Sequence, residues 1–123
     1  MIVLDSSAVI ELMAGTSKGN MIRNYLEKDS AAVVSISINE ILIGLKGRQR
    51  DLVHAFLKDV SILPFDEEAS YKSVEIEDLL RARGTLVGKL DIFIAAVCMT
   101  YTLPILTADY DFKKIPGLRA LVV

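Results

Sequence analysis

The stretch "MIVLDSSAVIELMAG" (Met1–Gly15) changes period within one line. Ile2, Val3 and Leu4 form a short continuous apolar run, the pattern of a strand buried on both faces. The polar cluster Asp5–Ser7 then opens a segment with helical spacing, "DSSAVIELMAG", which Gly15 and the nearby Gly19 bring to a stop. A buried strand running into a helix is half of a βαβ unit, and the rest of the chain repeats the theme. "NMIRNYLEKD" has helical spacing at Met21, Ile22, Tyr25 and Leu26; "AAVVSIS" reads as a second strand. "SINEILIGLKG" follows as a helix stopped by Gly47, then "RDLVHAFLKDV" as another. "SILPF" is a short strand whose Pro64 places it at an edge or an end. "DEEASYKSVEIEDLLRARG" is a long helix capped by Asp66. The apolar helix headed by Asp91, the strand "LPILTAD" and a last strand "LRALVV" complete the chain. Strands alternating with helices of this length predict an α/β fold with a central, mainly parallel sheet flanked by helices.

With 123 residues, the chain is expected to form one domain over 1–123. Hydrophobic residues make up 52% and the mean hydropathy is +0.42, which leaves apolar surface for a partner. No apolar run reaches the roughly 18 residues of a membrane span, and the N-terminus lacks a basic leader, so no membrane role and a cytoplasmic location are expected. The single cysteine, Cys98, reads as an inert core residue. A net charge of −2 is not the footprint of a protein that holds nucleic acid by bulk electrostatics.

The acids fall in a pattern. In open parallel sheets, ligands bind beyond the carboxyl ends of the strands. Asp5 follows the first strand, Glu40 lies on the first helical turn after the second, and Asp109 and Asp111 follow the strand around Ile105–Thr107. Asp91 heads the preceding helix and is expected at the same edge only if that helix bends or kinks. Taken singly, Asp5 and Asp91 read as helix caps, Glu40 as a solvated first-turn acid, and Asp109 or Asp111 as turn residues. Together they repel unless a cation neutralises them. Oxygen donors with no Cys/His pair disfavour zinc and suit Mg²⁺ or Mn²⁺. Such ions polarise phosphoryl oxygens and generate hydroxide, a way to attack a phosphodiester without a basic surface.

"VLDSSAVIEL", "SINEILIGL", "KLDIFIAAV" and "LTADYDFKKI", in this order and spacing, resemble the PIN-domain ribonucleases. The short form is similar to the VapC-type toxins of type II toxin–antitoxin modules. The resemblance spans essentially the whole chain. It implies a PIN-like fold, Mg²⁺- or Mn²⁺-dependent endonucleolytic cleavage of RNA (tRNA among the substrates), a homodimer and an inhibitory antitoxin protein. By position it implies a catalytic quartet of Asp5, Glu40, Asp91 and Asp109, with Asp5, Asp91 and Asp109 on the metal. It gives Asp111 and the hydroxyls of Ser6 and Thr107 supporting places. The family often has Thr where this chain has Ser6 and Ser37.

Three other readings are weighed on the residues alone. A phosphoacceptor receiver domain shares the length, the α/β pattern and Mg²⁺-binding acids, but wants paired acids after the first strand and a Lys-Pro after the fifth. A haloacid-dehalogenase-like phosphatase would need a second Asp where Ser7 stands. A catalytically silent PIN-like module, kept for protein contacts, would preserve the fold without the chemistry. Lys46, Arg48, Arg50 and Lys89 read as phosphate contacts or as solvated charge, and His54 as a surface or structural residue.

Overall fold

In a computed structural model covering Met1–Val123, five short strands form one sheet in the order β3-β2-β1-β4-β5, and every pairing is parallel. The strands are β1 (Ile2–Leu4), β2 (Ala31–Val34), β3 (Ser61–Leu63), β4 (Ile105–Thr107) and β5 (Ala120–Val122). The helices are α1 (Ser6–Ala14), α2 (Ser17–Leu26), α3 (Ser37–Leu42), α4 (Gly47–Lys58), α5 (Glu67–Ala82) and α6 (Lys89–Thr100), with a 3₁₀ turn at Tyr110–Lys114. β3 is an edge strand with Pro64 directly after it, as its sequence requires. This order differs from the 2-1-3-4-5 arrangement of receiver domains, so the topology excludes that reading.

Side chains on a strand alternate faces, and the core divides accordingly. Val3, Ala32, Val34 and Ile105 join a cluster with Ile76 and Leu80 of α5 and Ile94 and Val97 of α6. Ile2, Leu4, Val33 and Leu106 join another with Val9 and Leu12 of α1, Ile22 of α2, Ile41 of α3 and Val53 of α4. The result is three layers: α1–α4 on one face, α5 and α6 on the other. α6 buries Ile92 and every residue from Ile94 to Cys98, which explains its lack of a polar face. Burial pushes the Cys98 thiol up to about 12, so it is an inert core group.

Glycine punctuation differs from the sequence reading in two places. The α3 helix stops at Leu42, before Gly44, and Gly47 instead begins α4 with φ +59°. Gly44 ends the helix because interior glycine is a poor helix former. Gly19 does not stop a helix; it lies inside α2, which starts at Ser17 under a Thr16 cap whose Oγ1 accepts from the Gly19 amide at 3.0 Å. A Cβ there would sit 2.2 Å from the carbonyl oxygen of Glu11 and 2.8 Å from its carbon, both backbone atoms of α1. Gly19→Ala is therefore expected to destabilise by about 3 kcal/mol or more through overpacking. That outweighs the gain of at most about 1 kcal/mol in helix propensity. Thermal melting checks this, and an unchanged or raised midpoint would show that α1 and α2 are free to separate.

Candidate metal centre

The sheet order puts β1 at the centre, between β2 and β4, so the carboxyl ends of these three strands adjoin. This is also where the strand order reverses, the place where open α/β sheets bind ligands. Asp5 leaves β1, Glu40 lies on the first turn of α3 after β2, and Asp109 and Asp111 leave β4. Asp91 reaches the same edge with no bend, contrary to the expectation from sequence. A helix feeding a parallel strand runs antiparallel to it, so the N-terminal turn of α6 starts at the carboxyl edge. Nor is Asp91 the cap of α6: Gly88 occupies that position and Asp91 is the third helical residue.

Asp5 is 4% exposed and fully engaged. Its Oδ1 accepts from the Ala8 amide at 3.1 Å, capping α1, and the Ser7 hydroxyl donates to both its oxygens at 2.8 and 2.9 Å. The Ala108 amide donates to Ser7 Oγ at 3.0 Å, and Ser7 Oγ lies 3.2 Å from Thr107 Oγ1. Thr107 Oγ1 in turn accepts from the Asp109 amide at 2.9 Å. With the Ser7 proton on Asp5, Thr107 donates to Ser7. One chain of hydrogen bonds therefore ties the end of β4 to the end of β1 and fixes Asp5 relative to Asp109. Ser7 is the residue that sequence reasoning missed; Ser6, named from the resemblance, makes no side-chain hydrogen bond to the acids. The local signal was present, since a hydroxyl two residues after an N-cap Asp is placed to fold back onto it.

Carboxylate oxygens of Asp91, Asp109 and Asp111 all lie within 4.8 Å of one another. Asp109 is held by its Oδ1, which accepts from the Asp111 amide at 2.9 Å. Asp111 pairs with Lys114 at 2.8 Å. Asp5 and Glu40 stand near enough to be coupled to this trio: burial raises both, Asp109 adds to the shift at Asp5, and Asp5 adds to that at Glu40. The tightest group thus contains Asp111 where the resemblance puts Asp5. Lys89 pairs with Glu77 of α5 and not with Asp91, and His54, Lys46, Arg48 and Arg50 are exposed.

The electrostatics are those of uncompensated like charge. Asp91 is raised from 3.8 to about 6, first by burial and then by Asp109, Asp5, Glu40 and Asp111. No hydrogen bond or cation in the chain offsets these causes. Burial is also the main cause of the upward shifts at Asp5 and Glu40; at Asp5 the hydrogen bonds from Ser7, Ala8 and Thr107 pull the other way. An acid raised in the folded state binds its proton more tightly there than when unfolded, so its contribution to stability is present at low pH and lost as pH rises through the folded pKa. In chelator, melting at pH 5.5 is therefore expected several degrees above melting at pH 8. A midpoint that rises between these pH values would contradict this picture of the acids.

The donor set fits a hard divalent cation. Three carboxylates offer oxygens within 4.8 Å of one another, near enough to be drawn onto one small cation. The donors are all oxygen, as Mg²⁺ and Mn²⁺ prefer, and no sulfur or imidazole ligand joins them.

Comparison with known proteins supports the fold. The PIN domain family profile matches residues 2–118. The protein named Ribonuclease VapC from Rickettsia bellii is 32% identical, over 99% of this chain and 96% of its own. DNA-bound VapBC from Salmonella typhimurium superposes with a TM-score of 0.84 at 25% identity, covering 98% of both chains. VapBC-5 from Mycobacterium tuberculosis, described as a member of the VapBC family of toxin–antitoxin systems, does so with a TM-score of 0.75 at 26% identity, covering 99% of this chain and 98% of that one.

Proposed function

The chain belongs to the PIN domain family, and from that premise we propose that it is a metal-dependent endoribonuclease serving as the toxin of a toxin–antitoxin pair. The observation that carries the reading is the convergence of Asp5, Glu40, Asp91, Asp109 and Asp111 on one sheet edge, with a single lysine, Lys114, paired among them. Five acids with one paired cation repel RNA. They become useful to a phosphodiesterase only when a divalent cation outweighs them, and a PIN domain in a chain similar to ribonucleases supplies the matching chemistry.

Asp91, Asp109 and Asp111 would hold Mg²⁺ or Mn²⁺, with Asp5 adjoining. The bound ion supplies charge neutralisation at the phosphate and a lowered pKa for an attacking water. The residues of the chain do the rest. The hydrogen bonds from Ser7 and the Ala8 amide hold Asp5 in one orientation, and the Thr107–Ser7 link keeps the β4 acids in register with it. Glu40, half-buried and raised in pKa, stands where a carboxylate can accept a proton from water approaching the phosphate. The products are a 5′-phosphate and a 3′-hydroxyl, and the substrate is structured RNA such as tRNA.

A protein partner is supported by apolar surface. A groove of about 190 Å³ between α1, α3 and α4 is lined by Ile10, Met13, Leu45 and Leu52 among others, and Ile43, directly after α3, is 70% exposed. An inhibitor that placed an arginine among the five acids would bind them in bidentate fashion and compete with the cation. The active form is a homodimer, and the site of action is the cytoplasm; no helix of the chain is long and apolar enough to cross a membrane.

Brief expression of the wild-type chain in a bacterial host is expected to arrest growth and to create new RNA 5′-phosphate ends at recurrent sites. Asp5→Asn should do neither, and a small protein encoded beside the gene should restore growth and co-purify. Soluble accumulation of the wild-type chain without arrest or new RNA ends would remove the toxin reading and leave a silent binding module.

A further inference from the structure

Ser37 is the first residue of α3, is 0% exposed, and its Oγ has no hydrogen-bond partner. No other buried side-chain oxygen or nitrogen of the protein is left in this condition. A buried hydroxyl without a partner is a net cost to the fold, so stability does not explain why it is there. Three residues on, Glu40 lies on the same face of α3. Its carboxyl receives no hydrogen bond either: burial and the charge of Asp5 alone shift it. A donor without an acceptor and an acceptor without a donor therefore sit one turn apart, beside the acids that leave β1 and β4.

We propose that Ser37 is a positioning residue whose hydroxyl donates to the Glu40 carboxylate and aims it across the acidic edge. The inference rests on the ribonuclease reading for its consequence, but not for the contact itself. Glu40 is the one acid of the five on a helix only six residues long, and no other group in the chain holds its side chain. Asp5 and Asp109, by contrast, are fixed by amides and hydroxyls. Ser37 gives Glu40 what Ser7 gives Asp5.

The test uses the full chain and three substitutions: Ser37→Ala, Ser37→Thr and, to assign the resonance, Glu40→Gln. In ¹³C-labelled protein the Glu40 side-chain carboxyl signal should move in Ser37→Ala and return toward its wild-type position in Ser37→Thr. The melting temperature of metal-free Ser37→Ala should stay close to that of wild type, because the bond to the half-buried Glu40 carboxylate orients a side chain and does not hold the fold together. With bulk tRNA as the probe and Mn²⁺ present, kcat should fall about tenfold in Ser37→Ala at unchanged KM, the worth of one hydrogen bond to a charged acceptor, and recover in Ser37→Thr. A Glu40 signal indifferent to Ser37→Ala overturns the proposal, as does a melting temperature lowered by several degrees, which would make Ser37 structural. If wild-type protein leaves RNA intact, the ribonuclease reading fails, and the Glu40 signal alone still decides whether Ser37 holds that carboxylate.

Discussion

Replacing Asp91 by Asn is expected to abolish RNA cleavage while raising the melting temperature of the metal-free protein at pH 7.5. Most substitutions of a partly buried polar residue destabilise, so the sign of the second effect is diagnostic. Asp91 caps nothing, accepts no hydrogen bond within the chain, and sits among four other acids. Its one favourable interaction is with the N-terminal end of the α6 dipole, worth about 0.3–1 kcal/mol. Against that stands a pKa raised from 3.8 to about 6. Discounted for the solvent that reaches the group, this corresponds to on the order of 1–2 kcal/mol of repulsion and desolvation in the ionised state. Asn keeps the shape and removes the charge. The pH dependence of melting between 5.5 and 8 should flatten in the same variant. Cleavage should fall by orders of magnitude, because a cation loses both a ligand and the charge that attracts it. Asp66→Asn is the control: Asp66 caps α5 by accepting from the Ala69 amide at 3.0 Å, far along the chain from the acidic edge, and cleavage should be untouched. Near-wild-type cleavage by Asp91→Asn, or a lowered midpoint, would return Asp91 to an ordinary helix-terminal acid. Such a site trades stability for function, and the opposite signs of the two effects make that trade measurable.

Much of this was legible in the chain. Five apolar runs with intervening helical periods specify a parallel α/β sheet, and Pro64 marks the strand that lies at its edge. The acids after β1, β2 and β4 were placed by the rule that ligands gather at the carboxyl edge. The bend expected at Asp91 reflects the sequence of α6 alone, which does not carry the helix's direction relative to the sheet. A helix that feeds a parallel strand must begin where that strand ends, so the first turn of α6 faces Asp109 without any kink. Gly19 reads as a stop because a glycine that permits close approach of two helices looks the same in sequence as one that ends a helix. The contact that distinguishes them, with the backbone of Glu11, is tertiary. Ser6 and Ser7 are equivalent in sequence, both hydroxyls in the first turn of α1; which one folds back on Asp5 depends on the cap geometry. The place of Asp111 in the tight trio follows from the 3₁₀ turn after Asp109, which brings the two acids to one side. No period of hydrophobic residues encodes that turn.

That these acids would hold the divalent cation on which RNA cleavage depends is the core of the mechanism. It is tested most directly by incubating purified wild-type protein with RNA in Mn²⁺, in Mg²⁺, and in excess EDTA. The acids are fixed in place by the chain's own hydrogen bonds, yet no positive group among them outweighs their charge, so without a cation they can neither approach a phosphate nor activate water beside it. Cleavage is expected with either ion, to stop in EDTA, and to return when Mn²⁺ is restored in excess, with 5′-phosphate ends on the fragments. Cleavage that continues undiminished in EDTA would contradict the account.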